Sequence, residues 1–298
     1  MRHKLIPLEL TQAPDYPALL LDGKYLAYRT QYSKTGSLSY SGIKTGLYYG
    51  FFNTVQQLMN KFYPIYLCIM WDSPGKKSIR KKEFPGYKNR DNWDKMTEEQ
   101  KRDKIEFNDA YENLIVICEE LGFASYIMDG YEADDLFALW INRYPSYKPI
   151  IIITRDEDMF QLLSDSISIY NPDDKKIKDL KWFKKEYKID PNVWANVKAM
   201  GGCKSDTVPG LPGVGEETAL KYYRNEHVKK KGIDSEENIA LVNKYYNLTV
   251  LPHPNLKNFH LPFKSTKVDK DKFFSFCQEM GFRSFIDDLD KFEPLFDL

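Results

Sequence analysis

The sequence predicts an α/β fold with a mostly parallel central sheet. Short apolar runs of strand length recur along the first 170 residues, and amphipathic helical segments separate them. The runs are nearly continuous rather than alternating, as in strands covered on both faces. Four of them also end in, or lead directly into, acidic residues.

Ala18-Leu19-Leu20-Leu21 forms the first strand and ends in Asp22-Gly23. A helix is expected from about Gly46 to Phe62, with Leu47, Val55, Leu58 and Met59 on its apolar side. Ile65 to Trp71 is the second strand and ends in Asp72. Phe123 to Met128 is the third and leads into Gly130-Tyr131-Glu132-Ala133-Asp134-Asp135. Pro149 to Thr154 is the fourth, followed by Arg155-Asp156-Glu157-Asp158, and Ser166 to Tyr170 is a weaker fifth. Further helical patterns run over 104–121, 132–144 and 157–164.

In such a sheet the strand C-termini share one edge, where ligands bind. The fold therefore gathers Asp22, Asp72, Glu132, Asp134, Asp135, Asp156 and Asp158 at one rim. A single acid after a strand is ordinarily a turn residue or a helix cap; four coincidences at one edge call for more. The triplet Glu132, Asp134 and Asp135 also repels itself at a helix start, where the helix dipole offsets only about 0.3–1 kcal/mol per charge. A bound cation answers that repulsion. Oxygen donors without nearby His suit Mg²⁺ or Mn²⁺.

The 298 residues suffice for one large domain or two smaller ones. Hydrophobic residues at 42% exclude wholesale disorder. The 43 basic and 43 acidic residues cancel, so partners must be read from local charge. Cys68, Cys118, Cys203 and Cys277 form no CxxC pair and read as reduced thiols. No run approaches membrane-spanning length. The expectation is a soluble, cytoplasmic monomer.

A long insertion over 73–113 separates the second and third strands. Lys76, Lys77, Arg80, Lys81 and Lys82 precede Phe84, Tyr87, Lys88 and Arg90, and Trp93 and Lys95 follow. Cations interleaved with aromatic rings fit a polyanion that carries stackable bases. From Pro191 the chain becomes helical, and Gly201-Gly202-Cys203-Lys204-Ser205-Asp206 leads to Pro209-Gly210-Leu211-Pro212-Gly213-Val214-Gly215. A helix from there to about Tyr223 completes a helix-hairpin-helix over about 196–225. Its glycines let backbone N–H groups approach a phosphate. Gly210, Gly213, Val214, Gly215 and Thr218 are the expected DNA contacts, with Lys229-Lys230-Lys231 as a nearby exposed loop. Phe273 to Phe292 reads as a packed helical tail.

Together these stretches resemble the flap endonuclease and 5′–3′ exonuclease family, from about residue 18 to 225. The matching segments are Leu21-Asp22-Gly23, Trp71-Asp72 with Arg80, Tyr87-Lys88-Asn89-Arg90, Glu132-Ala133-Asp134-Asp135, Thr154-Arg155-Asp156-Glu157-Asp158, and Ser205-Asp206 with the hairpin. The resemblance implies a PIN-like nuclease domain over 1–190, with the insertion as a helical arch, and a helical DNA-binding domain over 191–298. It implies two divalent ions, one held by Asp22, Asp72, Glu132 and Asp134, the other by Asp135, Asp156, Asp158 and Asp206. A K⁺ ion at the hairpin is a further expectation. The chain departs from the family where Cys203 replaces the first acid of a Gly-Asp-x-x-Asp motif. A thiol is a poor Mg²⁺ ligand, so the second ion is expected to bind more weakly.

The expected reaction is metal-assisted phosphodiester hydrolysis at 5′ flaps and 5′ ends of DNA, in replication or repair and alongside replication proteins. Lys88 and Arg80, with Arg90, would neutralise the scissile phosphate; Lys81 and Lys82 would hold the strand, and Tyr87 would stack on a base. Two alternatives share these residues: RNase H-type removal of RNA primers from RNA–DNA hybrids, and structure-specific DNA binding with weakened catalysis.

Overall fold

Strands whose residues are apolar on both sides need cover on both sides, and the fold supplies it from distant parts of the chain. The computed structural model describes residues 16–74, 78–89 and 93–298. Its strands are β1 (Ala18–Asp22), β2 (Ser39–Tyr40), β3 (Ile43–Lys44), β4 (Tyr66–Met70), β5 (Ser125–Tyr126), β6 (Ile150–Ile153), β7 (Ile167–Asn171) and β8 (Lys176–Lys178). The helices of the first half are α1 (Gly23–Gln31), α2 (Gly46–Phe62), α3 (Ile79–Glu83), α4 (Glu98–Glu120) and α5 (Ala133–Arg143). Those of the second half are α6 (Leu180–Tyr187), α7 (Trp194–Gly201), α8 (Glu216–Tyr223), α9 (Glu236–Thr249), α10 (Lys270–Glu279), α11 (Arg283–Asp287) and α12 (Glu293–Phe296).

The main sheet runs β5-β4-β1-β6-β7-β8 and is parallel except for β8 at its edge. β1 lies between β4 and β6, with Asp22 in register with Met70 and Leu21 with Ile153. The strand order reverses between β1 and β6, the crevice where open α/β sheets bind ligands. β2 and β3 form a separate hairpin.

Alternate residues of each strand enter different cores. Leu20, Cys68, Met70, Ile150 and Ile152 meet Leu136, Phe137 and Trp140 of α5, Trp194 and Val197 of α7, and Val242 and Leu248 of α9. Leu19, Leu21, Leu67, Ile69 and Ile153 meet Phe51, Phe52 and Val55 of α2, Leu114 of α4, and Phe273, Phe285, Phe292 and Leu295 of the tail. Within residues 191–298, α7–α9 pack on one face of the sheet and the tail on the other. Emptying such a site by Phe273→Ala removes a side chain with no solvent exposure, at roughly 3–5 kcal/mol.

The elements not anticipated are α1, the β2–β3 hairpin, α6 and β8. α1 follows Asp22 directly, and Gly23 is required there because a Cβ would lie 2.1 Å from the Trp71 ring. β8 extends the sheet beyond β7. The expected helix over 157–164 is a 3₁₀ segment, Glu157–Leu162, and α4, which begins in the insertion and runs beyond it, enters the second core through Phe107, Tyr111, Leu114 and Cys118.

Candidate functional site

The C-terminal ends of β1, β4 and β6 and the start of α5 bring Asp22, Asp72, Asp134, Asp156 and Asp158 to one cleft of about 570 Å³, together with Asp206 from the segment before the hairpin. Asp22 ends β1, where its Oδ1 accepts the Tyr25 N–H at 2.9 Å and its Oδ2 accepts the Thr154 hydroxyl at 2.8 Å. Burial, reinforced by Asp72 and Asp156, pushes Asp22 up to about 7. Asp72 accepts the Ala133 N–H at the start of α5 (2.9 Å) and pairs with Lys24 Nζ at 2.9 Å. Its burial opposes the charge, but Lys24 and Lys88 outweigh it and hold the carboxyl at about 2. Neighbouring acids of one cleft thus sit in opposite protonation regimes.

Glu132 is buried just before α5 and accepts from Lys88 Nζ and the Tyr87 hydroxyl, each at 2.9 Å. Lys88 Nζ also lies 3.7 Å from Asp206 Oδ1. Asp134, in the first turn of α5, is held well above the usual carboxylate range by burial and by Asp156. Asp158 is raised similarly by burial, then by Asp156 and Asp206.

The second side is shaped by a tight turn. Cys203 and Val208 exchange backbone hydrogen bonds of 2.9 Å in both directions, which turns Cys203 and Asp206 toward Asp158. One ligand atom from each of these three buried residues lies within 4.8 Å of the others. Burial, then Asp158 and Asp206, pushes the Cys203 thiol up to about 11.

The structure corrects three expected roles. Asp135 does not join a metal group: it has no solvent exposure and accepts Arg80 in a fork, at 2.6 Å from Nη1 and 2.8 Å from Nη2. It also accepts the His253 N–H at 2.7 Å and the Glu132 N–H at 3.3 Å. Arg80, 2% exposed, further donates to the Leu248 and Val250 carbonyls at 3.0 Å each, so its donors are directed inward and not toward a phosphate. Tyr87, also 2% exposed, places its hydroxyl between Glu132 and Asp206 and offers no ring face for a base. The base of the insertion is thereby pinned to the start of α5 and the end of α9, and Lys88 N–H donating to Asp206 O at 2.8 Å ties it to the second side.

Lys81 lines an adjoining cleft of about 490 Å³ that shares Lys24, Asp72 and Lys88 with the first, and Lys82 is exposed. Arg90, Lys76 and Lys77 lie outside the described residues. At the hairpin Gly213 and Gly215 are exposed and Thr218 is half-buried. Val214 and Gly210 are buried; a Cβ on Gly210 would lie 2.4 Å from the Gly202 nitrogen, so this glycine serves packing rather than phosphate approach. Lys230 Nζ donates to Pro212 O at 2.8 Å and braces the turn.

Sequence reasoning missed several cleft residues. Lys24 enters with the unanticipated α1, as do Tyr25 and the half-exposed Tyr28, and Arg155 stands over the Tyr25 ring at 5.9 Å. Lys198, 8% exposed, sits over the Trp194 ring and pairs with Glu216 at 2.8 Å. A lone lysine within the apolar stretch Trp194–Met200 was the available signal for it. Asp22, Asp72, Asp134, Asp156, Asp158 and Asp206 line the cleft and Glu132 the adjoining one, an oxygen-rich donor set of the kind that could hold a divalent ion.

Residues 17–188 match the family model described as "5'-3' exonuclease, N-terminal resolvase-like domain". A 5'-3' exonuclease of Buchnera aphidicola subsp. Schizaphis graminum is 28% identical over 264 residues, covering 87% of this chain and 84% of that protein. The thermostable DNA polymerase I of Thermus aquaticus is 30% identical over 214 residues, covering 70% of this chain but 24% of the polymerase. The T5 5'-exonuclease with bound zinc shares the fold, with a TM-score of 0.68, 22% identity, and coverage of 79% of this chain and 90% of that one. No helix among the described residues is long and apolar enough to cross a membrane. With the matched segment spanning the strands that build the rim, the chain belongs to the 5′–3′ exonuclease family.

Proposed function

We propose that the rim is the active centre of this metal-dependent 5′ nuclease and that it hydrolyses phosphodiesters at 5′ flaps and 5′ ends of duplex DNA. The observation that carries the reading is the convergence of acids from three strand ends and a helix start on one cleft, beside Lys24, Lys88 and Lys198. Carboxylates this close repel the phosphate they would act on unless cations intervene. Bound divalent ions, Mg²⁺ or Mn²⁺ and two in number, would supply a water of lowered pKa and stabilise the leaving oxygen.

The chain's own residues do the rest. Asp72, kept ionised, offers a carboxylate to an ion across the working pH range. Lys88, in the left-handed region at φ 47°, brings an ammonium over Glu132 and toward Asp206, where it can neutralise charge growing on a phosphate oxygen. Tyr28 and Arg155 form an exposed aromatic and basic wall on the cleft, suited to a base and its phosphate. The adjoining cleft gives a displaced 5′ strand a second way out past Lys81. At the hairpin, the exposed amides of Gly213 and Gly215 suit contact with duplex backbone that carries no sequence information.

The test is cleavage of a 5′-flapped duplex in Mg²⁺ with and without chelator. Cleavage is expected to stop with chelator. Asp134→Asn should lower turnover by about 100-fold or more, the scale at which one charge-stabilising group acts, while flap binding changes little. Cleavage that persists in chelator, or equal losses of binding and turnover in the variant, would contradict the reading.

A further inference from the structure

We propose that the position bounded by Asp158, Cys203 and Asp206 is a mixed thiolate–carboxylate site that selects a thiophilic divalent ion such as Zn²⁺ over Mg²⁺. The inference rests on the reading of the rim as a metal centre and concerns which ion its second side takes.

Geometry comes first. The Sγ of Cys203 and a carboxylate oxygen from each of Asp158 and Asp206 already lie within 4.8 Å of one another, and all three residues are buried. Zinc bonds of about 2.3 Å to sulfur and about 2.1 Å to oxygen place tetrahedral donors roughly 3.5 Å apart. Closing the set therefore takes side-chain adjustment of about an ångström, and the backbone is already in place. The Cys203–Val208 turn, closed by two backbone hydrogen bonds, holds the thiol beside Asp158 and Asp206, and Ser205 Oγ, 2.8 Å from Sγ, is positioned to donate to a thiolate and fix its direction.

Chemistry then separates the candidate ions. Mg²⁺ demands oxygen donors and gives up its waters reluctantly, whereas thiolate favours Zn²⁺ and similarly soft ions. The two carboxylates would suit either class, so the sulfur decides. All four cysteines are buried in the hydrophobic clusters, but among the described residues only Cys203 also has the carboxylate oxygens of two acids within 4.8 Å of its sulfur. On binding, the S–H bond breaks, its proton leaves to solvent and a metal–sulfur bond forms; no electron transfer is involved.

The experiment uses the full chain and Co²⁺ as a spectroscopic probe. Wild-type protein should develop a near-ultraviolet thiolate-to-cobalt charge-transfer band that saturates near one ion per chain and is abolished by added Zn²⁺. Cys203→Ser should lose the band. Cys203→Asp should bind Zn²⁺ at least tenfold more weakly than wild type and Mn²⁺ more tightly. Absence of the band in wild type at saturating Co²⁺, or its persistence in Cys203→Ser, would overturn the proposal. If the variants do not fold, alkylation of the wild-type chain decides. Zn²⁺ should slow modification of Cys203, mapped by mass spectrometry, at least tenfold while Mg²⁺ does not; equal effects of the two ions would overturn it. Flap cleavage in Mg²⁺ by the same preparation is scored separately. Cleavage without the band removes the thiolate site and leaves the nuclease reading, and the band without cleavage does the reverse.

Discussion

On the side of the cleft built by β1, β4 and α5, the fold provides partners for its acids: Tyr25 N–H and Thr154 for Asp22, Lys24 and Ala133 N–H for Asp72, and Lys88 and Tyr87 for Glu132. On the side built by residues 156–158 and 203–206, Asp158 faces Asp156, Asp206 and a thiol; Lys198, engaged by Glu216, offsets its burial only in part, and Asp206 shares Lys88 and the Tyr87 hydroxyl with Glu132. On the first side Lys24 and Lys88 keep Asp72 ionised while burial raises Asp22 and Asp134; on the second, burial and facing acids raise both Asp158 and the Cys203 thiol. A third arrangement lies beneath both, the buried Arg80–Asp135 fork, where charge is used for structure alone.

The strongest way to separate structural from cleft charge is to cut that fork. Arg80→Ala leaves Asp135 buried without its partner and should cost roughly 3–5 kcal/mol, read by urea unfolding in chelator. Arg80→Lys cannot make two parallel bonds and should recover only part of it. Wild-type stability in either variant would return Arg80 to the cleft. Lys88→Ala addresses the first side: turnover should fall by about 10²–10³-fold with a smaller change in flap binding, and unchanged turnover would remove Lys88 from the chemistry.

A pH series separates Asp72 from the acids that burial raises on both sides. Asp22, Asp134 and Asp158 have folded-state values above the ordinary 3.8, so the folded chain retains protons the unfolded chain has lost. Their contribution to stability is fully present below the ordinary value and is lost as pH rises through the folded values, about 7 for Asp22. Asp72 has the opposite sign, and its contribution is lost only as pH falls from 3.8 toward about 2. In chelator the melting temperature should therefore be lower at about pH 8 than at about pH 5, and Mn²⁺ should narrow the gap. A flat or rising profile in chelator would contradict the assigned environments. The smallest effect concerns Lys24, whose half-exposed pair with Asp72 competes with an ion for that carboxylate. Lys24→Ala should tighten Mn²⁺ binding by no more than about fivefold, since such pairs are worth up to about 1 kcal/mol; weaker binding would mean that Lys24 assists the ion.

The rim was legible because its signal is local: an apolar run followed by an acid places that acid at the sheet edge once the strands are parallel. Asp22, Asp72, Asp134, Asp156 and Asp158 all lie where that rule puts them. The fork was not legible, because Arg80 sits in a run of cations that reads as solvated surface and its partner is 55 residues away. Tyr87 was misread for the same reason: neighbouring lysines suggested exposure, while Glu132 and Asp206 hold its hydroxyl inside. α1 went unseen because Gly23–Gln31 mixes tyrosines with charges and buries only Gly23, Leu26, Ala27 and Thr30. The aromatic tail read correctly as packed helix, but its partner, the α2 face of the sheet, is more than two hundred residues away in the chain.

The most direct test of the account is an electron paramagnetic resonance titration of the full chain with Mn²⁺, in wild type and in Asp134→Asn and Asp158→Asn. The account predicts two bound ions per chain, the second bound more weakly than the first. Asp134→Asn should weaken the tighter ion and Asp158→Asn the weaker one. No bound Mn²⁺ in wild type, or unchanged binding in both variants, would contradict it.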